Sequence, residues 1–199
     1  MALKIIKPGM LTTVQDLGRW GLQSHGVPVS GAMDVLSHRA ANRIVGNSES
    51  AATLEVTILG PEVEFQSPAT VAVSGAEFRL MLDSIEVAMN ERFDVRAGSR
   101  LRFGERRSGA RAYIAVDGGI DVPMTLGSRA THVRTGMGGF EGRALRAGDV
   151  VKKKGDAEKG SGAFFEQGRK RHPTPFFAQS TPNGAMRPGA CTSPPNPLR

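Results

Sequence analysis

The feature that most constrains the fold of this chain is an abrupt change of composition at Val151. Residues 1–151 contain only two lysines and a nearly balanced charge, with 16 acidic and 17 basic residues. Residues 152–199 open with three lysines, contain nine Lys and Arg against three Asp and Glu, and are rich in Pro and Gly. A segment of this kind buries too little apolar surface to offset its loss of chain entropy. We therefore predict one folded domain over residues 1–151 and a disordered, basic tail over residues 152–199.

The placement of the charges and the single cysteine limits the binding partners and the cellular compartments that we expect. Most of the formal net charge of +7 belongs to the tail, where the basic residues are spread among prolines, so we do not expect nucleic acid as a partner. The one cysteine, Cys191, allows neither an intrachain disulfide nor a cysteine-based metal site. No run of residues resembles a signal peptide or a membrane span. These features predict a cytoplasmic protein with no membrane contact and no metal site.

Short apolar or alternating segments separated by turn residues predict a mainly β fold. Such segments cover residues 3–6, 53–59, 63–65, 70–73, 78–82, 85–87, 100–103 and 112–116. Because closure removes exposed strand edges, this spacing favours a closed barrel or a sandwich. Residues 11–31 are marked by Gly and Pro and predict a long loop.

One helix is predicted, from about Met33 to Val45. Helical periodicity gives it a buried face of four residues, namely Met33, Leu36, Ala40 and Ile44. The same periodicity turns Arg39, Asn42 and Arg43 away from that face. Ser30 and Asp34 lie where the long loop enters the helix, so each is either a structural cap or a group that faces a site.

The strongest candidate for chemistry is the glycine loop, residues 136–143. Its backbone amides can approach an anion closely, and Glu141 and Arg143 place an acid and a cation beside them. The alternative is a plain corner of a barrel, because the loop matches neither a P-loop nor a dinucleotide fingerprint.

Other candidate groups lie on loops and strands. Gln15, Asp16, Arg19 and His25 fall in the long loop, and loops on a rigid scaffold often carry binding groups. Glu55 interrupts an apolar strand, so it is either outward and solvated or buried against an arginine such as Arg129. The basic residues between 100 and 111 form either a solvated strand face or a phosphate-gripping cluster. Glycines and arginines outnumber obvious nucleophiles, which favours electrostatic stabilisation over covalent catalysis.

Taken in order, nine segments resemble the biotin-dependent carboxyltransferase, or allophanate hydrolase subunit 2, family. They are Leu11-Thr-Thr-Val-Gln-Asp-Leu-Gly18, Gly26-Val-Pro, Ser30-Gly-Ala-Met-Asp34, Ala41-Asn-Arg-Ile-Val-Gly-Asn47, Leu54-Glu-Val, Ser108-Gly-Ala-Arg-Ala-Tyr113, Gly118-Gly-Ile-Asp-Val-Pro123, Leu126-Gly-Ser-Arg129 and Gly139-Phe-Glu-Gly-Arg143. The resemblance covers residues 3–151. It implies a cyclophilin-like β-barrel with one prominent helix, corresponding to the first half of the family's domain.

The resemblance also implies a function. It points to one component of an ATP-dependent 5-oxoprolinase, a hydrolase that opens 5-oxoproline to glutamate with A-like and B-like 5-oxoprolinase proteins as partners and Mg²⁺-ATP at the level of the complex. The alternative is the carboxyltransferase part of a urea carboxylase or allophanate hydrolase system, which uses biotin. Motif positions then suggest catalytic roles for Asp34, Glu55 and Glu141. They suggest substrate or phosphate binding for Gln15, Ser30, Arg129, Gly138, Gly139 and Arg143.

The tail departs from this resemblance. Members of the family continue into a second barrel-like half, whereas residues 152–199 match nothing in that half. A shifted reading frame or a replaced C-terminal segment would produce such a break. Two further interpretations follow for a chain with half a site. One is a non-catalytic binding module of the kind that antagonises a kinase inhibitor, and the other is a truncated product without function.

Overall fold

The computed structural model describes residues 2–154, so the greater part of the predicted tail and Cys191 lie outside the described residues. Within this range the chain forms ten strands, one α-helix and a short 3-10 helix. Their bounds are β1 (Ala2–Lys7), β2 (Leu11–Gln15), the 3-10 helix (Gln23–His25), α1 (Val35–Ile44), β3 (Thr53–Thr57), β4 (Glu62–Phe65), β5 (Ala69–Leu82), β6 (Ile85–Val87), β7 (Arg92–Val95), β8 (Arg100–Val116), β9 (Ile120–Asp121) and β10 (Val150–Lys153).

Strand β8 organises the sheet because its two halves pair with different strands. Its C-terminal half pairs with β3, where Leu54 lies opposite Ile114, and its N-terminal half pairs with β4, where Val63 lies opposite Leu101. The sheet follows the order β2-β3-β8-β4-β1-β10-β9, with β5 joined to β8 and carrying β6 and β7. All of these pairings are antiparallel, and the strands curl into a nearly closed barrel. The predicted mainly β barrel with one prominent helix is confirmed.

The gap between the terminal strands β2 and β9 is covered by one long segment, the closing loop (residues 122–149). Its Thr131 and Leu145 amides donate to the carbonyls of Val14 and Thr12 on β2, at 2.9 and 2.8 Å. Backbone groups at a sheet edge need such partners, since an open edge is a template for pairing with other chains. The closing loop therefore completes the barrel, and the glycine loop is part of it.

The barrel interior is a single apolar cluster. Ile5, Val14, Leu54, Leu101 and Ile114 are fully buried in it. Burying a side chain of this size contributes about 1.5–3 kcal/mol. The cluster holds the strands that carry the site in fixed register.

Helix α1 differs from the prediction in both its bounds and its buried face. It begins at Val35, and the residues it buries are His38, Ala41 and Asn42. The predicted face is wrong, because Met33 and Leu36 are 72% and 80% exposed. Another side of α1 faces the sheet. There Ala41 packs against Ala32, Tyr113 and Ala115, while His38 and Asn42 form hydrogen bonds with Thr53 and with the Ala51 carbonyl.

Three strand boundaries also differ from the prediction. The predicted loop over residues 11–31 contains β2, whose polar Thr and Gln side chains are buried and so give no apolar signal. The segments 70–73 and 78–82 join into β5, and 100–103 and 112–116 join into β8. Irregular register beside Gly75 marks a bulge in β5. Gly75 has φ of 109°, and a Cβ there would lie 2.5 Å from the Arg111 carbonyl oxygen. The glycine therefore bends the strand without ending it.

Candidate functional site

The glycine loop makes a tight turn that only glycine can form at two central positions. Gly138 and Gly139 have φ of 68° and 57°. A Cβ at Gly138 would collide with the carbonyl oxygen of Ala130, and one at Gly139 would collide with Oγ1 of Thr131. Glu141 also adopts a left-handed conformation, with φ of 53°. A strained non-glycine residue in such a turn is typical of sites where backbone groups are held for function.

Four consecutive amides of this loop, those of residues 138–141, have no acceptor within residues 2–154. The flanking amides are paired, since Met137 donates to the carbonyl of His132 at 3.2 Å and Gly142 to that of Gly138 at 2.8 Å. Successive unpaired N–H groups in turns of this kind bind anions. The loop therefore offers a row of donors to a negatively charged group.

These residues line a cavity of about 400 Å³. Its walls combine the glycine loop with the end of β9, the start of the closing loop and β10. They consist of Asp121, Val122, Pro123, Thr125, residues 138–142, Val150 and Lys152. The volume falls in the range of small-molecule sites, which are mostly apolar with a few placed polar groups.

Arg143 holds the loop through two carboxylates. Its guanidinium donates to both oxygens of Asp149, at 2.7 and 3.0 Å, and to Oε2 of Glu141 at 2.7 Å. The hydrogen bonds from Arg143 lower the pKa of Asp149, against a smaller opposing effect of burial. In this arrangement both charged members of the predicted pair, Glu141 and Arg143, are already matched to each other.

Arg19 lies beneath the glycine loop and is the least expected part of the site. Its side chain is 2% exposed, Nε donates to the carbonyl of Thr125 at 3.2 Å, and Nη2 donates to that of Ala130. Nη1 is buried without a hydrogen-bond partner, and no carboxylate pairs with this guanidinium within residues 2–154. A buried, unneutralised cation raises the local electrostatic potential strongly, because it is screened little. Arg19 therefore adds positive charge to a loop of free donors.

Asp16 links the segment that follows β2 to the closing loop. Its carboxylate accepts from the Gly18 amide at 2.8 Å, from Oγ of Ser128 at 2.7 Å and from the Arg129 amide at 2.5 Å. Gln15 adds a bond from Nε2 to the Thr131 carbonyl at 3.1 Å, and its Oε1 is buried without a partner. Gln15 thus lies behind Gly139, which packs against Thr131.

A second group of predicted residues meets at the start of α1. Oε2 of Glu55 accepts from the Tyr113 hydroxyl and from the Met33 amide, each at 2.8 Å, and the Tyr113 oxygen accepts from the Asp34 amide at 2.7 Å. Burial raises the pKa of Tyr113. Glu55 is therefore buried beside an arginine, as one of its two interpretations proposed. That arginine is Arg111, whose Nε lies 3.7 Å from Oε1, and not the suggested Arg129.

Asp34 caps α1, as one of the two interpretations of its position proposed. Its side chain accepts from the amide and from Oγ of Ser37, at 3.0 and 2.5 Å. Burial acts to raise the pKa of Asp34, but the hydrogen bonds from Ser37 together outweigh it, so the pKa lies below its usual value. Ser30 is not a cap. It has φ of 56°, and its Oγ is buried without a partner.

His38 is a buried polar residue that sequence reasoning missed. Its Nδ1 lies 2.9 Å from Oγ1 of Thr53, and its ring packs edge-on against Tyr113 with centroids 5.7 Å apart. Burial lowers the pKa of His38, and the charge of Asp16 opposes that shift. The available signal was its spacing of four residues from Asn42, which places two polar side chains on one helix face.

Three further predicted groups lie apart from these clusters. His25 is exposed and contacts Oγ of Ser24 at 3.2 Å. The basic residues of β8 do not form one phosphate-gripping cluster, since Arg100 pairs with Glu64, Arg107 with Glu77 and Arg111 with Glu55. Arg129 donates from Nε to the Val122 carbonyl at 3.0 Å and lines a different cavity.

The described residues lack two further features. Within residues 2–154 no group of three or more His, Cys, Asp or Glu side chains is arranged to hold a metal ion. The helices of the same range include none with the length and apolar character needed to cross a membrane.

The fold and the site together define a class of protein, a nearly closed β-barrel whose closing loop presents free amides above a buried cation. Residues 25–190 match the family model described as the carboxyltransferase domain, subdomain A and B. The chain belongs to this family.

Its relatives fall into two groups. The chain is 42% identical over 163 residues to the C subunit of 5-oxoprolinase from Escherichia coli K12, a match that covers 80% of this chain and 53% of the relative. It is 44% identical over 151 residues to urea amidolyase of Lachancea kluyveri, covering 75% of this chain and 8% of the relative. The crystal structure of Kluyveromyces lactis urea carboxylase superposes with a TM-score of 0.74 at 44% identity, covering 75% of this chain and 13% of that one. The chain thus spans about half of the bacterial relative and a small part of the fungal ones.

Proposed function

We propose that this chain contributes the anion-holding barrel of an ATP-dependent 5-oxoprolinase, which opens 5-oxoproline to glutamate in the cytoplasm together with the A-like and B-like 5-oxoprolinase proteins. The observation that carries the proposal is the row of free amides at residues 138–141 above Arg19. The similarity to the C subunit of Escherichia coli 5-oxoprolinase, at 42% identity, supports the choice of substrate.

The geometry suits the difficult step in opening a lactam. ATP would phosphorylate the lactam oxygen with loss of ADP, and water would then attack the activated carbon, with loss of phosphate and opening of the C–N bond. Fixed donors that meet the negative charge gathered at that oxygen lower the barrier. The amides of Gly139 and Phe140 would donate to this oxygen, while Arg19 would stabilise it from beneath the loop. Each such donor accounts for about 10²–10³-fold in turnover in enzymes of this kind.

Mg²⁺-ATP would be bound at the level of the complex with the A-like and B-like proteins. The contribution of this chain would be to bind and orient the lactam and to hold its developing charge.

The test is glutamate release from 5-oxoproline and ATP by the full chain mixed with its cognate A-like and B-like partner proteins. Gly139→Ala is the informative variant, because a Cβ there meets Thr131, and Gly136→Ala is its matched control, since Gly136 also has positive φ but has open space around it. We expect about a 100-fold loss for G139A and little change for G136A. No release above a mixture lacking the chain would refute the activity, and release by G139A at the rate of the unchanged chain would refute the role of the Gly139 turn.

The alternative is a carboxyltransferase that moves a carboxyl group to urea. The similarity to fungal urea amidolyase, at 44% identity, favours it. The apolar lining of the glycine-loop cavity, which includes Val122, Pro123 and Phe140, fits the ring system of biotin. Carboxylated biotin would supply the carboxyl group, and these residues would hold its ring. Urea-dependent loss of carboxybiotin without glutamate release from 5-oxoproline would favour this alternative.

A non-catalytic binding module is the third possibility, because the chain spans 53% of the bacterial relative. Co-elution of the chain with the A-like and B-like proteins on size exclusion, with neither activity above background, is the result that this possibility predicts. Failure to co-elute would exclude it.

A further inference from the structure

A second cavity, of about 530 Å³, is formed by parts of the chain that the proposed function does not use. One wall is formed by residues 46–48 and 50–52, between α1 and β3, and the other by residues 118–120, at the turn from β8 into β9. Arg129 and Lys154 complete the lining. Its size suits a small molecule.

The walls of this cavity are tied together by backbone and amide hydrogen bonds. Asn47 bridges them, with Nδ2 donating to the Val116 carbonyl and Oδ1 accepting from the Gly118 amide, each at 2.8 Å. The Ile120 amide donates to the Ala52 carbonyl at 2.9 Å. A site held in shape before binding loses less entropy when a ligand enters.

The charge in this cavity is positive. Arg129 and Lys154 line it, and within residues 2–154 no carboxylate does. The nearby acids are engaged elsewhere. Oδ2 of Asp117 accepts from Nζ of Lys153 at 2.5 Å, and Oε2 of Glu49 lies 3.5 Å from Nε of Arg39. Asp121 reaches Arg129 only at 3.9 Å and is about half exposed, so it neutralises that guanidinium weakly.

Polar donors accompany the two cations. The Oγ atoms of Ser48 and Ser50 lie 2.9 Å apart at the wall, so one hydroxyl donates to the other and the second hydroxyl hydrogen can turn toward a ligand. The C-terminus of α1 would disfavour an anion, but its carbonyls are capped by the Gly46 and Asn47 amides at 3.1 and 2.9 Å. That effect also fades within one turn of the helix end.

We propose that this cavity binds a small organic anion, with its carboxylate or phosphate group between Arg129 and Lys154 and its polar body against Ser48 and Ser50. Arg129 supplies a planar fork for two oxygens of the anion, and Lys154 supplies a point charge. The site is separate from the glycine loop and does not depend on the proposed function.

The test is a titration of the full ¹⁵N-labelled chain, in one arm with inorganic phosphate and in another with succinate, at constant ionic strength set by sodium chloride. We expect saturable shifts of the Ser50, Gly118 and Gly119 amide signals. Lys154→Met should weaken Kd about fivefold or more, since a charge-assisted contact is lost. Lys7→Met is the matched control, because Lys7 is exposed and remote from this lining, and it should leave Kd unchanged.

The two arms distinguish the sources of the anion. Saturation by phosphate alone indicates a phosphate-bearing ligand, and saturation by succinate alone indicates a carboxylate. Arg129→Lys, which keeps the charge but loses the fork, should weaken whichever anion binds. Shifts that do not saturate in either arm, that chloride reproduces, or that K154M leaves unchanged would overturn the proposal.

Discussion

The guanidinium of Arg19 lies against Gly138, and a Cβ at position 138 would collide with Nη2 of that arginine. Two residues separated by more than a hundred positions in the chain are thus in direct contact. Their contact joins the segment that follows β2 to the closing loop. The row of unpaired amides, residues 138–141, begins at the same glycine.

Gly138→Ala should therefore destabilise the domain. The substitution strains a backbone with φ of 68° and drives a methyl group into Arg19 and the Ala130 carbonyl. We expect a loss of about 2–4 kcal/mol in the free energy of unfolding, measured by urea denaturation. Gly98→Ala has the same backbone strain, with φ of 86°, but open space, and it should cost about 1–2 kcal/mol. Equal losses would contradict the collision.

Arg19→Met should remove the buried charge and two hydrogen bonds to carbonyl groups. The carbonyl oxygens of Thr125 and Ala130 would then be buried without a donor. We expect this to lower the free energy of unfolding by about 1–3 kcal/mol. Urea denaturation of R19M and of Arg134→Met, an exposed control, measures the difference. An unchanged stability for R19M would show that the closing loop does not depend on this guanidinium.

Tyr113 should resist ionisation until the protein unfolds. It is the only tyrosine in the chain, so absorbance at 295 nm reports on this residue alone. Burial raises its pKa, so the folded state keeps its proton where the unfolded state, with a pKa of about 10, has lost it. Stability should then fall as pH rises above about 10. Phenolate absorbance and loss of circular dichroism should appear together. A phenolate signal in the folded protein near pH 10 would contradict this burial.

His38 should make stability depend on pH in the opposite sense. Burial lowers its pKa below the ordinary value of about 6.5, so the unfolded state binds the proton first as pH falls. The stabilisation is complete above about pH 6.5 and is lost as pH falls toward the lower, folded-state pKa. Urea denaturation between pH 5 and 8 measures this slope. His38→Gln should flatten it, whereas His25→Gln, at an exposed site, should not.

The sequence predicted the barrel well because its strands alternate or are wholly apolar, as in the fully buried segment 112–116. It misplaced the buried face of α1, since burial of His38 and Asn42 depends on hydrogen-bond partners at Thr53 and Ala51, which no helical period reveals. The arginine beside Glu55 was missed for a similar reason. In the register of β3 and β8, Glu55 lies opposite Tyr113 and Thr57 opposite Arg111, which brings Arg111 near the carboxylate.

The glycine loop was recognisable from composition, whereas the burial of Arg19 was not. An arginine in a loop is usually exposed, and only the fold of the closing loop places the carbonyls of Thr125 and Ala130 around it. The catalytic and binding roles suggested by motif positions stay predictions, to be measured by the variants above.

The closing loop bonds to β2 through Thr131 and Leu145 and also carries the glycine loop. Closure of the barrel and formation of the proposed anion site therefore depend on one segment. A ligand that binds the glycine loop only when this segment is in place would stabilise the closed edge and slow hydrogen exchange at those two amides. Hydrogen exchange at the edge of the sheet would then report whether the site is occupied.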